Sequence, residues 1–321
     1  MTELKISTAV QELLCCPKCR HKLELSMQKL VCQNPQCGAS YPVVDGVPVL
    51  IDESDSIIKI NDILSHRNSA GSSERGWIKR LLPGISLNIK ARHNYEKLTA
   101  LLLAQSDAPR VLVVGGGILG KGMQSLVESP VVEVVETDIL FGPRTMLICD
   151  AHEIPFEDGS FDAVVAQAVL EHVVDPYRCT EEIYRVLKKD GLVYAEIPFM
   201  QQVHLGRYDF TRFTHLGQRR LFRKFAEIDS GAGGGPGMAL AWSYQYFLMS
   251  FSDSLFLRKI LLVFARLTSF YLKYFDYFLI DKAGALDAAS GYYFLGRKSD
   301  DQLTDDELIR LYRGANRSED R

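Results

Sequence analysis

The sequence predicts an α/β protein: a mostly parallel sheet with helices on both faces, preceded by a small metal-stapled module. Three observations predict it. Strand-like and helix-like segments alternate through the centre of the chain. A glycine-rich turn, GGGILG, stands between the first such strand, VLVV, and the segment after it. Five of the seven cysteines (Cys15, Cys16, Cys19, Cys32, Cys37) fall in the first 37 residues. Alternation of this kind belongs to parallel sheets, whose crossover connections need helices.

A chain of 321 residues has room for one large domain, or one large and one small. Charged residues make up 24% and hydrophobic residues 47%, ordinary values for a globular protein. A net charge of -3 gives no global reason to expect nucleic acid or an anionic membrane as the main partner. The first residues, MTELKISTAV, lack the basic-then-apolar layout of an export signal. Reduced thiols and a cytoplasmic location are therefore expected, and the cysteine cluster reads as a metal site rather than a disulfide set. Cys149 and Cys179 stand alone and read as core thiols.

In the N-terminal module, Cys16-Pro-Lys-Cys19 and Cys32-Gln-Asn-Pro-Gln-Cys37-Gly are two turn-forming pairs separated by a hairpin-like segment. Four thiolates on two tight turns can surround one Zn²⁺ tetrahedrally, and so small a module needs such a staple to fold. The second pair has the wider spacing, which demands a larger turn. Cys15 competes with Cys16 for the role of ligand, and the CPxC spacing favours Cys16. Through CPKC, the later CG and the tail YPVVDGVPVLI, residues 1–55 resemble the small zinc-ribbon proteins that activate tRNA, rRNA and protein methyltransferases. The resemblance implies a structural zinc and a docking role. The module carries five Lys/Arg against seven Asp/Glu, a balance that argues against a nucleic-acid-binding finger. Residues 56–108 are expected to hold a polar linker with a Ser/Gly cluster and a lead-in helix, ARHNYEKLTALLLA.

The glycine turn alone is a weak signal, since Gly115-x-Gly117-x-x-Gly120 also fits a dinucleotide fingerprint. The strand VVEVVETDI ends in Asp138, placed to hold ribose hydroxyls in either a nicotinamide cofactor or S-adenosylmethionine. The third block, CDAHEIPFEDGSFDAVVAQAVLEHVVDP, separates the two. With DAHEIPFEDGSFD, VLEHVVDP and RVLKKDG in that order, residues 109–230 resemble class I S-adenosylmethionine-dependent methyltransferases. The resemblance implies a Rossmann-like seven-stranded mostly parallel sheet spanning 109–300. It implies that Gly115, Gly116 and Gly117 pass under the methionine part of the cofactor. It further implies that Asp138 holds the ribose, that Asp150 and Ala151 face the adenine amino group, and that Gln167 ends the fourth strand beside the cofactor. Two features depart from the family pattern. Val113 stands where an acidic residue is usual, and one extra residue precedes Gly120. His172, in LEHV, reads as a structural residue.

Past the fifth strand, PFMQQVHLGRYDFTRFTHLGQRRLFRKF carries the candidates for the acceptor side. Methyl transfer from a sulfonium is an in-line displacement, so alignment dominates, and an oxygen acceptor also needs a base within reach. His204 and Asp209 are the catalytic candidates. Arg207, Arg212 and His215 are the substrate-binding candidates, the arginines because a guanidinium grips phosphate or carboxylate in two-pronged fashion. Arg219 to Lys224 read as the solvated basic face of an amphipathic helix.

FAEID and GYYFLGRK read as the last two strands, an antiparallel pair around a helical insertion at 238–285. The insertion follows a glycine-rich turn, SGAGGGPGMA. Residues 255–280 are mostly apolar, and Lys259, Arg266 and Lys273 recur every seven residues as a basic stripe. Charges interrupt every potential membrane span. Packing on the protein itself or in a homodimer is the preferred reading of this segment, with peripheral membrane contact the other. Residues 301–321 open with a capping box from Thr304 to Glu307 and trail off as a polar tail.

The expectation is an S-adenosylmethionine-dependent methyltransferase with a zinc-ribbon module. Its acceptor is an oxygen or nitrogen of a small-molecule, glycan or lipid-linked compound, with an anionic group as the hypothesis the arginines motivate. An RNA methyltransferase is the alternative suggested by the ribbon. It is opposed by the missing basic face and by AVLEHV standing where an NPPY-like signature would. A non-catalytic cofactor-binding scaffold is the alternative from another class.

Overall fold

The computed structural model describes residues 3–67 and 82–315. Much of the expected Ser/Gly linker and the stretch up to residue 81, like the end of the polar tail, lie outside the described residues. One sheet of eleven strands organises the rest. The N-terminal module contributes β1 (Leu23–Ser26), β2 (Lys29–Cys32), β3 (Ser40–Val44) and β4 (Val47–Leu50). The remaining strands are β5 (Arg110–Val114), β6 (Glu133–Asp138), β7 (Leu147–Cys149), β8 (Phe161–Gln167), β9 (Leu187–Pro198), β10 (Phe225–Gly234) and β11 (Gly291–Lys298). Their order across the sheet is β1-β2-β3-β4-β7-β6-β5-β8-β9-β11-β10.

The seven expected strands are β5 to β11. Strands β5 to β9 run parallel, and β11 lies antiparallel between β9 and β10. The count of eleven exceeds seven because the ribbon does not stand apart. Its strand β4 pairs in parallel with β7, Val49 opposite Ile148 and Leu50 opposite Cys149. All four residues of β4 are buried, and an unbroken apolar run suits a strand covered on both faces. Leu14 also bridges to Phe156, and the Cys15 N–H donates to the Pro155 carbonyl. The Arg20 guanidinium reaches the Ile154 carbonyl at 2.8 Å and the Glu182 carboxylate at 2.8 Å. Ribbon and sheet therefore share one apolar core, in which Leu4, Val10, Leu14 and Tyr41 pack with Phe156, Phe161 and Ile183.

The two faces of the sheet follow from alternation along β5. Leu112 and Val114 face one layer, with helix α5 (Pro176–Val186), while Val111 and Val113 face the other, with α3 (Ala91–Gln105). Helix α5 begins where Asp175 accepts from the N–H groups of Tyr177 and Arg178, with Pro176 in its first turn. It ends at Val186, because Leu187 already belongs to β9.

The insertion departs from its sequence reading in two ways. Ser230 to Gly234 continue β10 rather than forming a turn, and Pro236 opens helix α7 (Pro236–Met249) directly. The start of α7 is capped from a distance: the buried Asp276 carboxylate accepts from Gly237 N at 2.7 Å and Met238 N at 3.0 Å. Gly237 permits this approach, since a Cβ there would sit 2.2 Å from the Leu272 carbonyl oxygen. The apolar stretch 255–280 is not one rod. Helix α8 (Leu255–Ser269) stops, a 3₁₀ turn spans Leu272–Phe275, and a short helix, α9 (Asp276–Leu279), follows.

Two of the three stripe cations, moreover, point inward. Lys273 is nearly buried and donates to the Gly84 carbonyl, and Arg266 Nε donates to Gln245 Oε1 at 3.3 Å. The outward surface is the apolar one, with Phe251, Leu255, Phe256, Phe264, Leu267 and Phe278 all more than half exposed. Among the described residues no helix is long and apolar enough to cross a membrane. The expected capping box opens the last helix, Asp305–Arg310, with Glu307 N donating to Thr304 Oγ1 and Thr304 N to Glu307 Oε2.

Candidate functional site

In the ribbon, Cys16, Cys19, Cys32 and Cys37 place their sulfurs within 4.8 Å of one another. Cys16 and Cys37 are 3.9 Å apart and Cys19 and Cys32 3.4 Å. Tetrahedral thiolates around Zn²⁺ are separated by roughly 3.8 Å, so the set fits that ion with little movement. The Tyr41 hydroxyl lies 3.2 Å from Cys16 Sγ and the Asn34 N–H donates to Cys32 Sγ at 3.5 Å, contacts that orient the ligands. Cys15 is buried outside the cluster, against the Pro155 loop, which settles the choice between it and Cys16.

The carboxyl ends of β5 to β9 share one edge of the sheet, where an open α/β sheet binds its ligand. The glycine loop leaves β5 here with Gly115 at φ +73°, and a Cβ on it would come 2.4 Å from Val169 Cγ2. Strand and loop can meet this closely only through glycine. Val169 is aimed at the loop by Ala168, a non-glycine residue at φ +56°. Asp138 ends β6 with Oδ2 accepting from Gly117 N at 3.0 Å and Oδ1 from Leu140 N at 3.1 Å. Asp150, past β7, accepts from the His152 ring at 2.5 Å and from Ser56 Oγ at 2.5 Å. Burial would raise its carboxyl, but those hydrogen bonds outweigh it and hold the group below its ordinary value. Ala151 is buried beside it. Gln167 donates to the Lys121 carbonyl at 3.2 Å and to Glu196 at 3.0 Å, with its carboxamide oxygen packed against Gly120. The structure thus gathers Gly115, Gly116, Gly117, Asp138, Asp150, Ala151 and Gln167 along one edge.

Among the acceptor-side candidates, His204 and Asp209 lie together on the loop after β9. Asp209 Oδ2 accepts from the His204 backbone N–H at 2.8 Å. Its carboxylate is also clamped by both terminal nitrogens of Arg212 and sits well below the usual carboxylate range; burial opposes that shift and the arginine outweighs it. Arg212 spends all five of its N–H donors inside the loop, on Asp209 and on the carbonyls of Gln201, Gln202 and Thr211. Arg207 is exposed and stacks over the Tyr208 ring.

His215 stands elsewhere, at the start of the helix His215–Leu221. It is buried between Tyr292, Ser230 and Arg313, and burial with the arginine lowers its pKa to about 4. Nor is Arg219 solvated as its helix pattern suggested. It is buried, donates to the carbonyls of Phe222 and Phe225, and lies over the Phe294 ring.

Two acids at this edge escaped the sequence reading. Glu196, on β9, is a partly buried carboxylate held by Tyr194, Gln167 and Asn88 at 2.6, 3.0 and 2.9 Å. Burial raises it. Position 113 offers no acid, and Glu196 supplies one from a strand farther along. The signal was faint: a lone Glu in the apolar run LVYAEIPF. Glu171, beside His172, is fully buried and neither carboxylate oxygen has a hydrogen-bond partner. Burial pushes it up to about 8. His172 and His204 meet ring to ring there, 4.9 Å between centroids. The sequence signal is LEHV, in which the acid stands directly before the histidine.

Comparison with known proteins agrees with the two resemblances. Residues 125–195 match the family profile described as a methyltransferase domain, and residues 9–46 match that of Trm112p-like proteins. A demethylmenaquinone methyltransferase of Thermotoga maritima is 31% identical over 145 residues, 44% of this chain and 59% of that protein. A ubiquinone/menaquinone biosynthesis C-methyltransferase of Citrifermentans bemidjiense is 42% identical over 52 residues, 16% of this chain and 22% of that one. The chain therefore spans less than two thirds of the length of these curated relatives. Among solved structures, a phosphoethanolamine N-methyltransferase of Haemonchus contortus aligns over 64% of this chain and 53% of its own, at 17% identity and TM-score 0.39. A chain from the complex of the Haloferax volcanii Trm112 methyltransferase activator with a methyltransferase aligns over 66% and 92%, at 19% identity and TM-score 0.37.

Proposed function

We propose that the chain transfers a methyl group from S-adenosylmethionine to an oxygen or nitrogen of a small-molecule, glycan or lipid-linked acceptor. One observation carries the reading: the glycine loop, Asp138, Asp150 and Gln167 converge on the same sheet edge as His172 and His204. The residues fit the cofactor. Gly115 to Gly117 leave room for backbone approach, the half-buried Asp138 carboxylate suits a ribose diol, and Asp150 with Ala151 forms a polar and apolar pair for adenine. Bound there, the cofactor would supply an electrophilic methyl on a sulfonium. The chain's own task is then alignment and handling of one proton.

His204 is the group we assign to that proton. Its Nδ1 faces the Gln202 carbonyl at 3.2 Å, so the proton-accepting nitrogen is Nε2. Asp209 and Arg212 hold the loop that presents it. Arg207, free of such a clamp, is the arginine placed for an anionic group on the acceptor. The relatives are named for methylation in quinone biosynthesis, and a carbon acceptor of that kind is the second reading. We assign the protein to a reducing compartment, in keeping with the thiol cluster. Two occupants suit the outward apolar face of the insertion, a lipid surface and a second copy of the chain. Liposome co-sedimentation supports the first, and a concentration-dependent dimer the second.

Calorimetry with S-adenosylmethionine tests the core of the proposal. Binding is expected, with Asp138→Ala weakening it by about tenfold or more, as loss of a charge-assisted hydrogen bond demands. No heat and no competition by the demethylated product would remove the enzyme reading.

A further inference from the structure

The segments after β8 and β9 bring Glu171, His172 and His204 together, and we infer that they form a site for one divalent first-row metal cation, distinct from the four-cysteine centre. Glu171 Oε1 lies 3.6 Å from His172 Nε2 and 4.0 Å from His204 Nε2, and the three ligand atoms all fall within 4.8 Å.

The hydrogen bonds on the far side of each ring fix its tautomer. His172 Nδ1 faces the Tyr208 carbonyl oxygen at 2.8 Å. His204 Nδ1 faces the Gln202 carbonyl oxygen at 3.2 Å and Asp209 Oδ2 at 3.4 Å. Carbonyl and carboxylate oxygens only accept, so Nδ1 carries the proton in both rings and each Nε2 holds a lone pair. A backbone carbonyl behind an imidazole is also how metal-ligating histidines are oriented. Both lone pairs thus border a carboxylate that is 1% exposed and has no hydrogen-bond partner on either oxygen.

Three electron-rich groups without a donor between them repel one another, and a buried unsatisfied carboxylate costs stability. A shared proton answers this only in part: with a small shift it can bridge Glu171 to one ring, and the other ring's lone pair is left without a donor. Nor does Arg212, whose donors are all committed to its own loop. A divalent cation satisfies all three at once. Ligand atoms around such an ion stand roughly 3.4 Å apart, so side-chain shifts of about an ångström close the site. Two imidazoles with one carboxylate suit manganese, iron, cobalt or zinc. The His172 and His204 side chains are 17% and 25% exposed, which gives an ion a way in and leaves coordination positions for water or an acceptor oxygen. A bound cation takes the His204 Nε2 lone pair, so in the loaded protein the cation replaces His204 as the group that activates an acceptor oxygen; that use rests on the methyl-transfer reading, and the cation site does not.

The test is titration of the full chain, its cysteine centre loaded with zinc, with Mn²⁺ followed by the electron paramagnetic signal of the free ion. Uptake of one Mn²⁺ per chain is expected. Glu171→Gln and His204→Ala should each weaken it on the order of a hundredfold, while Asp138→Asn leaves it unchanged. If Glu171→Gln fails to fold, His204→Ala decides, since that ring is partly exposed; thermal unfolding confirms that each variant is folded. The inference is overturned if no Mn²⁺, Co²⁺ or Zn²⁺ binds beyond the ribbon's equivalent, or if uptake is undiminished in the folded variants. Cation binding without methyl transfer would leave the site standing and remove only the enzymatic reading.

Discussion

Two appendages, the N-terminal ribbon and the late insertion, join the same sheet by opposite physical means. The ribbon joins through its backbone. Strand β4 extends the sheet beside β7, and its apolar residues merge with the main core. The insertion grows out of the β10–β11 hairpin and is held by polar groups: Asp276 caps the start of α7, Arg266 joins α8 to Gln245 on α7, and Lys273 ties it to the Gly84 carbonyl. Ile280 packs on Ala232 and Tyr292 of the sheet, but most of the insertion's large apolar side chains, Phe251, Leu255, Phe256, Phe264 and Phe278 among them, face outward instead. A region that spends its apolar surface on the core is built to stay. One that anchors with charges and shows its aromatic side is built to meet something else.

The sharpest way to break the comparison is to unfold the ribbon. Removing the metal by chelation, or replacing Cys32 with Ser, should cost on the order of 5 kcal/mol or more of ribbon stability, because metal binding in so small a module is folding energy. Since β4 lies against β7, amide hydrogen exchange should rise not only in residues 23–50 but also at Leu147–Cys149. Exchange confined to the ribbon would mean that the shared sheet is not a shared cooperative unit.

A smaller effect is expected in the insertion. Asp276→Ala leaves two buried N–H groups of α7 without an acceptor and should cost about 2–3 kcal/mol, read as a lower unfolding midpoint. Smallest of all, Phe264→Gln on the outward face should change stability by less than about 0.5 kcal/mol. A large loss there would show that this face is already covered, and the contrast between the two appendages would fall.

The proposed cofactor edge was largely legible in the sequence, and the proposed acceptor side much less so. GGGILG, Asp138 and Asp150 announce themselves because backbone approach demands glycine, and a carboxylate at a strand end follows at a fixed distance along the chain. Arg212 and His215 show the limit. Type and position suggest that an arginine in a basic stretch meets an anion, yet only the folded loop reveals that all five donors of Arg212 are committed. His215 points into a core of Tyr292 and Ser230. Glu171 is not legible in the sequence, because a carboxylate beside a histidine is ordinary and only the fold leaves both its oxygens without a hydrogen-bond partner.

By itself the sequence determined the α/β class, the seven strands β5 to β11, the thiol quartet and the glycine turn and strand-end carboxylates of the proposed cofactor edge. These rest on local chemistry: apolar runs, glycine turns and short ligand spacings. Only the tertiary structure decided that the ribbon's last strand extends the main sheet, that the insertion turns Arg266 and Lys273 inward, and that Glu171, His172 and His204 converge. Each of those depends on which surfaces meet across long stretches of chain, and periodicity along a single segment carries no record of what will lie opposite it.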